Sequence, residues 1–261
     1  MEMSAKFSKA IEEKNVDERE YCRAIGCLRY LLHTRPGLSF SVGVLSRYMQ
    51  SPKESHGAAL KQVLRYLRGT CSLGLRFTHS KDLRLLGYSD SSYNVDLDDG
   101  KSTTGHIFYL GKSPITWCST KQEIVALSSC EAEFMAATEA AKQAVWLQDL
   151  LSETVGEDCK RVTIRVDNKS AIALTKNPVF HGQVEHVPGN EQRADILSKS
   201  LGRIKLKEMR AMIGVEDVSE EGLKLKGEIV GVSLKKVRGT SKPIPIWIMN
   251  FRDKDHIVFY Y

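Results

Sequence analysis

The chain has six cysteines, Cys22, Cys27, Cys71, Cys118, Cys130 and Cys159, but no Cys-x-x-Cys pair and no Cys/His cluster with zinc spacing. That leaves them as reduced thiols, as expected of a cytoplasmic or nuclear protein. The start, Met1-Glu-Met-Ser-Ala-Lys, lacks the apolar core of a signal peptide. No apolar run is long enough to cross a bilayer, and Ile244-Pro-Ile-Trp-Ile-Met is short and followed by charges. No membrane partner is expected.

What is present is enough for one large or two small domains with a real core: 261 residues, 42% of them hydrophobic. The net charge of +6 is uneven. Lys199 to Lys242 holds 11 Lys/Arg and 6 Asp/Glu, a local balance of +5, and the remainder is nearly neutral. Such a stretch suits an anionic partner such as nucleic acid. It equally suits a solvated helix followed by a disordered tail.

The front of the chain reads as helical. Ile25, Leu28, Leu31 and Leu32 fall at helical spacing before Arg35-Pro36. A second apolar stretch runs from Leu38 to Met49. Ser51-Pro-Lys-Glu then offers an N-cap, a first-position Pro and an early Glu ahead of Leu60, Val63, Leu64 and Leu67. Leu73 to Phe77 alternates as a short strand. Three further strand candidates, 83–90, 102–110 and 114–119, are separated by turn-like clusters and so predict antiparallel neighbours. Ser128-Ser-Cys-Glu131 is a capping box opening an amphipathic helix to about 153. Strand 162–166, a short helix 169–176, a strand stub 184–187 and a helix 191–201 follow. The order from residue 83 is β-β-β-α-β-α-β-α, which predicts an α/β fold with helices packed on a mixed sheet.

Four acidic residues occupy distinct settings in that order. Asp90 lies in Gly87-Tyr-Ser-Asp-Ser-Ser, Glu133 in Glu131-Ala-Glu-Phe-Met-Ala-Ala, Asp167 in Ile164-Arg-Val-Asp-Asn and Asp195 in Asn190-Glu-Gln-Arg-Ala-Asp-Ile-Leu. Two follow strand-like runs and two sit in helix-like runs. That layout gathers four carboxylates from distant positions around a pair of metal ions, the usual machinery for cutting a phosphodiester. Each also has a plain structural reading. Asp90 suits the start of a turn, Asp167 a helix N-cap unless Asn168 takes that role, and Asp195 the exposed face of a helix buried through Ala194 and Leu197. Glu131 competes with Glu133 for the helix role, although the capping box already employs Glu131.

With these acids on that order of elements, the chain resembles the ribonuclease H domain. Leu86-Gly-Tyr-Ser-Asp-Ser-Ser, Lys101-Ser-Thr-Thr-Gly, Ala126-Leu-Ser-Ser-Cys-Glu-Ala-Glu-Phe-Met-Ala, Asp167-Asn-Lys-Ser-Ala-Ile-Ala-Leu and Arg193-Ala-Asp-Ile-Leu-Ser-Lys resemble copia-type LTR retrotransposon Pol polyproteins, plant ones above all. Gly26-Cys-Leu-Arg-Tyr-Leu, Thr34-Arg-Pro and Leu64-Arg-Tyr-Leu-Arg-Gly-Thr resemble the segment after the polymerase palm in those polyproteins. The resemblance covers roughly residues 17–235 and implies four parts. These are a flexible N-terminus (1–16), a helical segment derived from the reverse transcriptase region (17–80), a ribonuclease H-like domain (81–203) and a basic, poorly ordered tail (204–261).

The resemblance implies an endoribonuclease acting on the RNA strand of RNA–DNA hybrids. Asp90, Glu133, Asp167 and Asp195 would hold two Mg2+ ions, with Mn2+ as an alternative. Asn190 and His186 would assist, and Gly87, Ser91 and Ser92 would let a nucleic-acid backbone approach. Tyr109, Trp117 and Trp146 read as core. Two departures bear on this. The Tyr-x-Asp-Asp polymerase motif is missing, and Tyr93-Asn-Val-Asp-Leu-Asp-Asp99 sits in a turn, so no reverse transcriptase activity is expected. A family helix and most of a strand are absent at about 182–184, where Gln183-Val184 joins the flanks. That junction predicts a misplaced Asp195 and an apolar patch beside strand 162–166 that recruits a protein partner. The competing functions are therefore an active nuclease and a catalytically impaired remnant that only binds nucleic acid or protein. An integrase-type core is disfavoured by the Asp167 and Asp195 elements.

Overall fold

A computed structural model describes residues 7–9, 12–78, 84–156, 161–175, 183–217 and 256–258. Helix α1 (Glu18–Leu31) begins where the Asp17 carboxylate accepts the Glu20 N–H at 2.8 Å. Its buried stripe of Tyr21, Ile25 and Leu28 meets α2 (Ser39–Leu45), which is flanked by 3-10 turns, and α3 (Glu54–Arg68). The start of α3 falls later than Ser51-Pro52 suggests. Lys53 is its N-cap, and His56 Nδ1 accepts the Lys53 N–H at 3.0 Å. The expected flexible N-terminus is partly anchored. Phe7 is buried against Tyr48 and His56, Asn15 bridges to Lys53, and Glu13 Oε2 accepts the Ser55 N–H at 2.7 Å. Residues 1–6 and 10–11 of that segment lie outside the described residues.

Strand β1 (Leu73–Thr78) leads into an antiparallel meander of β2 (Leu85–Ser92), β3 (Thr103–Leu110) and β4 (Ser113–Lys121). Helix α4 (Ser129–Val155) crosses to β5 (Thr163–Val166), which runs parallel to β2. Helix α5 (Lys169–Thr175) then crosses to β6 (Gln183–His186), parallel to β5. The sheet order is β4-β3-β2-β5-β6. After it come α6 (Asp195–Ser198), α7 (Arg203–Met212) and β7 (Val215–Asp217). β7 and β8 (His256–Val258) flank β1 in a second, three-stranded sheet.

The alternation of β3 explains the layers, since successive side chains point to opposite faces. Phe108 joins the core under α4, whereas Ile107 and Tyr109 join the core under α6 and α7. The α4 face is built from Ala132, Ala136, Ala137, Ala140, Ala141 and Ala144. With methyl groups as its ridge, the helix lies close over β2 and β5. Its first turn is closed by Ser128 Oγ, which accepts the Glu131 N–H at 3.1 Å, and by Glu131 Oε2, which accepts the Leu127 N–H at 2.7 Å.

Three expectations are corrected. The helix foreseen over 191–201 is a single turn, because Pro188–Gln192 forms turns and Lys199 is already extended. The tail foreseen from residue 204 starts too early. Within its basic run Met209 and Ile213 are fully buried, and α7 and β7 belong to the fold. Residues 218–255 and 259–261 of that tail lie outside the described residues. Among the described residues the strand itself offers no apolar patch: Val162, Ile164 and Val166 are buried in the core that α4 shares. β6 pairs with β5 over all four of its residues. Residues 176–182, the upstream side of the junction, lie outside the described residues.

The Tyr93–Asp99 turn has a structural use. Asp96 Oδ2 receives Arg47 Nη1 at 2.8 Å and Lys121 Nζ at 2.6 Å, and Arg47 Nη2 also reaches Thr103 Oγ1 at 3.0 Å. The helical unit is thereby tied to β3 and β4. Trp117 Nε1 donates to the Leu32 carbonyl at 2.8 Å across the same boundary.

Gly105 of β3 sets how closely α6 can approach. A Cβ there would lie 2.8 Å from Leu197 Cβ and 3.1 Å from the Ala194 carbonyl oxygen. Gly105→Val is expected to lower stability by about 1–3 kcal/mol, the usual cost of overpacking. Urea unfolding measures it, and an unchanged midpoint would contradict so close a seating of α6 on β3.

Candidate metal centre

Asp90 is the third residue from the end of β2, on the same face as Tyr88, and is fully buried. It therefore does not start a turn: the strand continues through Ser92, paired with β3. Asp167 follows β5, the parallel neighbour of β2. Asn168 Oδ1 accepts the Ser170 and Ala171 N–H groups, each at 3.0 Å, and so caps α5 and leaves Asp167 free. Asp195 opens α6. These three carboxylates each offer an oxygen within 4.8 Å of the others. The expectation that the shortened connection misplaces Asp195 is overturned by that distance. Glu133, in the first turns of α4, joins from the helix side: its Oε1 accepts the Ser91 N–H at 3.1 Å. Asp90, Asp167 and Asp195 thus converge at the carboxyl-terminal side of two adjacent parallel strands, and Glu133 approaches from α4 beside Ser91. Glu131 is held in the cap and does not join them.

Four residues outside the set of acids hold the cluster in place. Lys199 Nζ donates to Asp90 Oδ1 at 3.0 Å and to Asp195 Oδ1 at 2.9 Å. Ser198 Oγ donates to Asp90 Oδ2. Gln192 Nε2 donates to the Ser89 carbonyl at 2.9 Å, pinning the turn before α6 to β2. Gln122 Nε2 reaches Ser91 Oγ, Thr104 Oγ1 and the Ala132 carbonyl at 3.2, 3.1 and 2.9 Å, pinning the start of α4 to β2 and β3. Only Lys199 carried a legible signal, its spacing of four residues from Asp195 on a helix.

Several expected helpers have other work. A Cβ on Gly87 would lie 2.5 Å from Phe108, so this glycine admits a core ring rather than a nucleic acid. Ser91 and Ser92 are buried and bonded to Gln122 and Thr103. His186 and Asn190 are exposed, and the charge of His186 is near enough to favour ionised Asp167. Tyr109 is core and Trp117 half-buried, but Trp146 is 56% exposed on α4.

Electrostatically the cluster is under tension. Burial, then the charges of Asp90 and Asp167, push the Glu133 carboxyl up to about 9. Burial pushes Asp90 up to about 7, with Lys199 opposing and Asp195 adding to the rise. Asp167 is raised by burial, with Lys199 again opposing. Burial works against the charge on Lys199, but Asp90 and Asp195 raise its pKa above the ordinary lysine value. Glu133 Oε2 is buried with no hydrogen-bond partner. Buried like charges and an orphaned carboxylate oxygen are what a hard divalent cation relieves, so the donor set fits such ions.

A pH dependence follows. Between the ordinary carboxylate range near 4 and the raised values in the folded state, the folded chain holds more protons than the unfolded one. Stability of the metal-free chain therefore falls as pH rises across that window. Thermal unfolding in chelator is expected to show a declining melting temperature from about pH 5 to about pH 9, and Glu133→Gln should remove much of the decline. An equal decline in the variant would contradict the assignment to this cluster.

No protein-family model matches the chain. The Retrovirus-related Pol polyprotein from transposon RE2 of Arabidopsis thaliana is 37% identical over 236 residues, 82% of this chain and 16% of that protein. The corresponding polyprotein from transposon TNT 1-94 of Nicotiana tabacum is 36% identical over 78% of this chain and 17% of its own length. The chain thus spans a small part of these polyproteins. Secreted RxLR effector protein 161 of Plasmopara viticola is 44% identical over 137 residues, 52% of this chain and 96% of that protein. Among solved structures, LC11-RNase H1 in complex with an RNA/DNA hybrid aligns with 44% of this chain and 94% of its own at 16% identity and a TM-score of 0.34. A likeness at that score adds nothing to what the order of strands and helices already carries. No helix among the described residues is long and apolar enough to cross a membrane. The mixed sheet with its helices is a ribonuclease H-like fold, and the chain belongs to the retrovirus-related Pol polyproteins of plant copia-type transposons.

Proposed function

We propose that the chain is a metal-dependent endoribonuclease of the ribonuclease H type, cutting the RNA strand of RNA–DNA hybrids. The observation that carries this reading is the convergence of Asp90, Asp167 and Asp195 from three separate elements, with Glu133 of a fourth element alongside and one of its oxygens buried and unpartnered. Membership of the polyprotein family supports it. Asp90, Glu133, Asp167 and Asp195 would hold two Mg2+ ions, or Mn2+. Bound there, the ions supply Lewis acidity for water activation and for the departing 3′-oxygen.

The chain's own residues provide the frame for that chemistry. Asp90 is immobilised in a strand buried on both sides, and Ser198 fixes its carboxyl orientation. The backbone of Ser91 fixes one Glu133 oxygen and leaves the other free. Asp167 follows β5 and is half-buried, and Asp195 opens α6 and is buried beside it. Exposed His186 stands near Asp167, placed to exchange a proton with solvent. Recognition would follow the shape and 2′-hydroxyls of the hybrid rather than its sequence.

A second reading has one specific observation in its favour. Lys199 already bridges Asp90 and Asp195, so the cluster has a cation of its own. A remnant that binds nucleic acid without cutting it would keep that bridge unchanged.

The readings separate on a labelled RNA–DNA hybrid with Mg2+. Asp90→Asn is expected to abolish cleavage with folding intact, whereas Glu131→Gln should cost about 1 kcal/mol of stability, a cap's worth, and still cleave. Metal-dependent cleavage absent from the unaltered chain would favour the remnant.

A further inference from the structure

We infer that Lys199 is a tethered cation that occupies a divalent-metal position of the acid cluster and has to be displaced when metal enters. This inference rests on the metal reading of the site and adds a regulation to it.

The geometry is specific to one side chain. Lys199 Nζ lies 3.0 Å from Asp90 Oδ1 and 2.9 Å from Asp195 Oδ1. Those are two of the three carboxylates whose oxygens come within 4.8 Å of one another. Among the described residues, no other side chain forms an ion pair with Asp90, Glu133, Asp167 or Asp195. An ammonium at hydrogen-bond distance from two carboxylate oxygens uses the same lone pairs that a hard cation would take. Both cannot be satisfied in one place, because a divalent ion and an ammonium at such separations repel.

The lysine also has somewhere to go. Its side chain is 38% exposed although its partner Asp90 is fully enclosed. Its residue lines a groove between the helical unit and α7, together with Gly37, Tyr66 and Leu206. A short swing about its flexible stem takes the ammonium from the carboxylates into that groove, while Ser198 keeps Asp90 in place. Lys199 directly follows α6, at its C-cap. The residue that neutralises the cluster therefore belongs to the segment that delivers Asp195. The segment around α6 stays docked without metal because the lysine holds two of the acids together. A metal-free chain thus keeps its crevice assembled, and metal occupancy has a threshold set by competition with a built-in charge.

The test uses the full chain and two variants, Lys199→Met, which keeps the length of the stem and removes the charge, and Lys199→Arg. Mn2+ binding is measured by calorimetry, and melting temperature is measured in chelator. Lys199→Met is expected to bind Mn2+ about tenfold more tightly or better, the scale of one removed charge at contact distance, and to melt lower in chelator. Lys199→Arg should recover the melting temperature in chelator. If Lys199→Met does not fold in chelator, refolding on addition of Mn2+ supports the inference, and failure to refold with Mn2+ overturns it. Equal or weaker Mn2+ affinity in Lys199→Met overturns the competition while leaving the metal reading standing. Absence of Mn2+ binding in both chains overturns the metal reading and the inference together.

Discussion

A carboxylate buried inside a sheet covered on both faces is the constraint on which this structure turns. Asp90 is fully enclosed, and an isolated carboxylate in such a place is costly unless it is neutralised or bonded. Its surroundings answer part of that cost. Ser198 and Lys199 bond its two oxygens, whereas Asp195 and Asp167 crowd the same space with like charge. Glu133 comes within reach because its Oε1 is bonded to the residue after Asp90. The neutralising groups come from the segment around α6, so the site cannot be assembled unless that one-turn helix lies tight against the sheet.

That requirement reaches outward through the packing. Gly105 opens the space on β3 into which Leu197 settles, and Ser119 Oγ on β4 donates to the Leu197 carbonyl. Gln192 and Gln122 act as two clasps, one for the α6 turn and one for the start of α4, both fastened to β2 or its neighbours. Behind α6 the core runs through Ile196, Met209 and Ile213, so α7 backs the site. The helical unit contributes from the other side, tied to β3 and β4 by Arg47, Asp96 and Lys121. A buried polar cluster, a short helix and a docked helical unit are therefore one mechanical system.

The sequence made the layers legible where periodicity was strong. The alanine face of α4, the alternation of β3 and the Ser128 N-cap are local signals that tertiary packing then uses without change. It was less informative where long-range contacts decide. The single turn of α6 shares its apolar spacing with a longer helix, and only the turns at Pro188–Gln192 and the extended Lys199 shorten it. The buried stripe of α7 was hidden inside a basic run, because the charges of Lys205, Lys207 and Arg210 dominate any count of composition. The acids themselves stood out by their setting, but their holders did not. A serine that bonds Asp90 and glutamines that clasp backbone carbonyls are ordinary residues until the elements they join are folded together. The junction near Gln183 pointed to a damaged sheet, yet β6 still pairs along β5, since strand pairing needs only backbone and a short register.

Everything proposed for the chemistry depends on these four acids forming one divalent-metal centre. The most direct measurement is a crystal structure of the chain grown with Mn2+, with the ions located by their anomalous scattering. Anomalous peaks are expected inside the cluster, ligated by Asp90, Asp167 and Asp195 with Glu133 alongside, and Lys199 turned away from them. Peaks elsewhere, or a cluster without peaks at Mn2+ levels that saturate other two-metal nucleases, with Lys199 still bridging Asp90 and Asp195, would contradict a metal centre built from these acids.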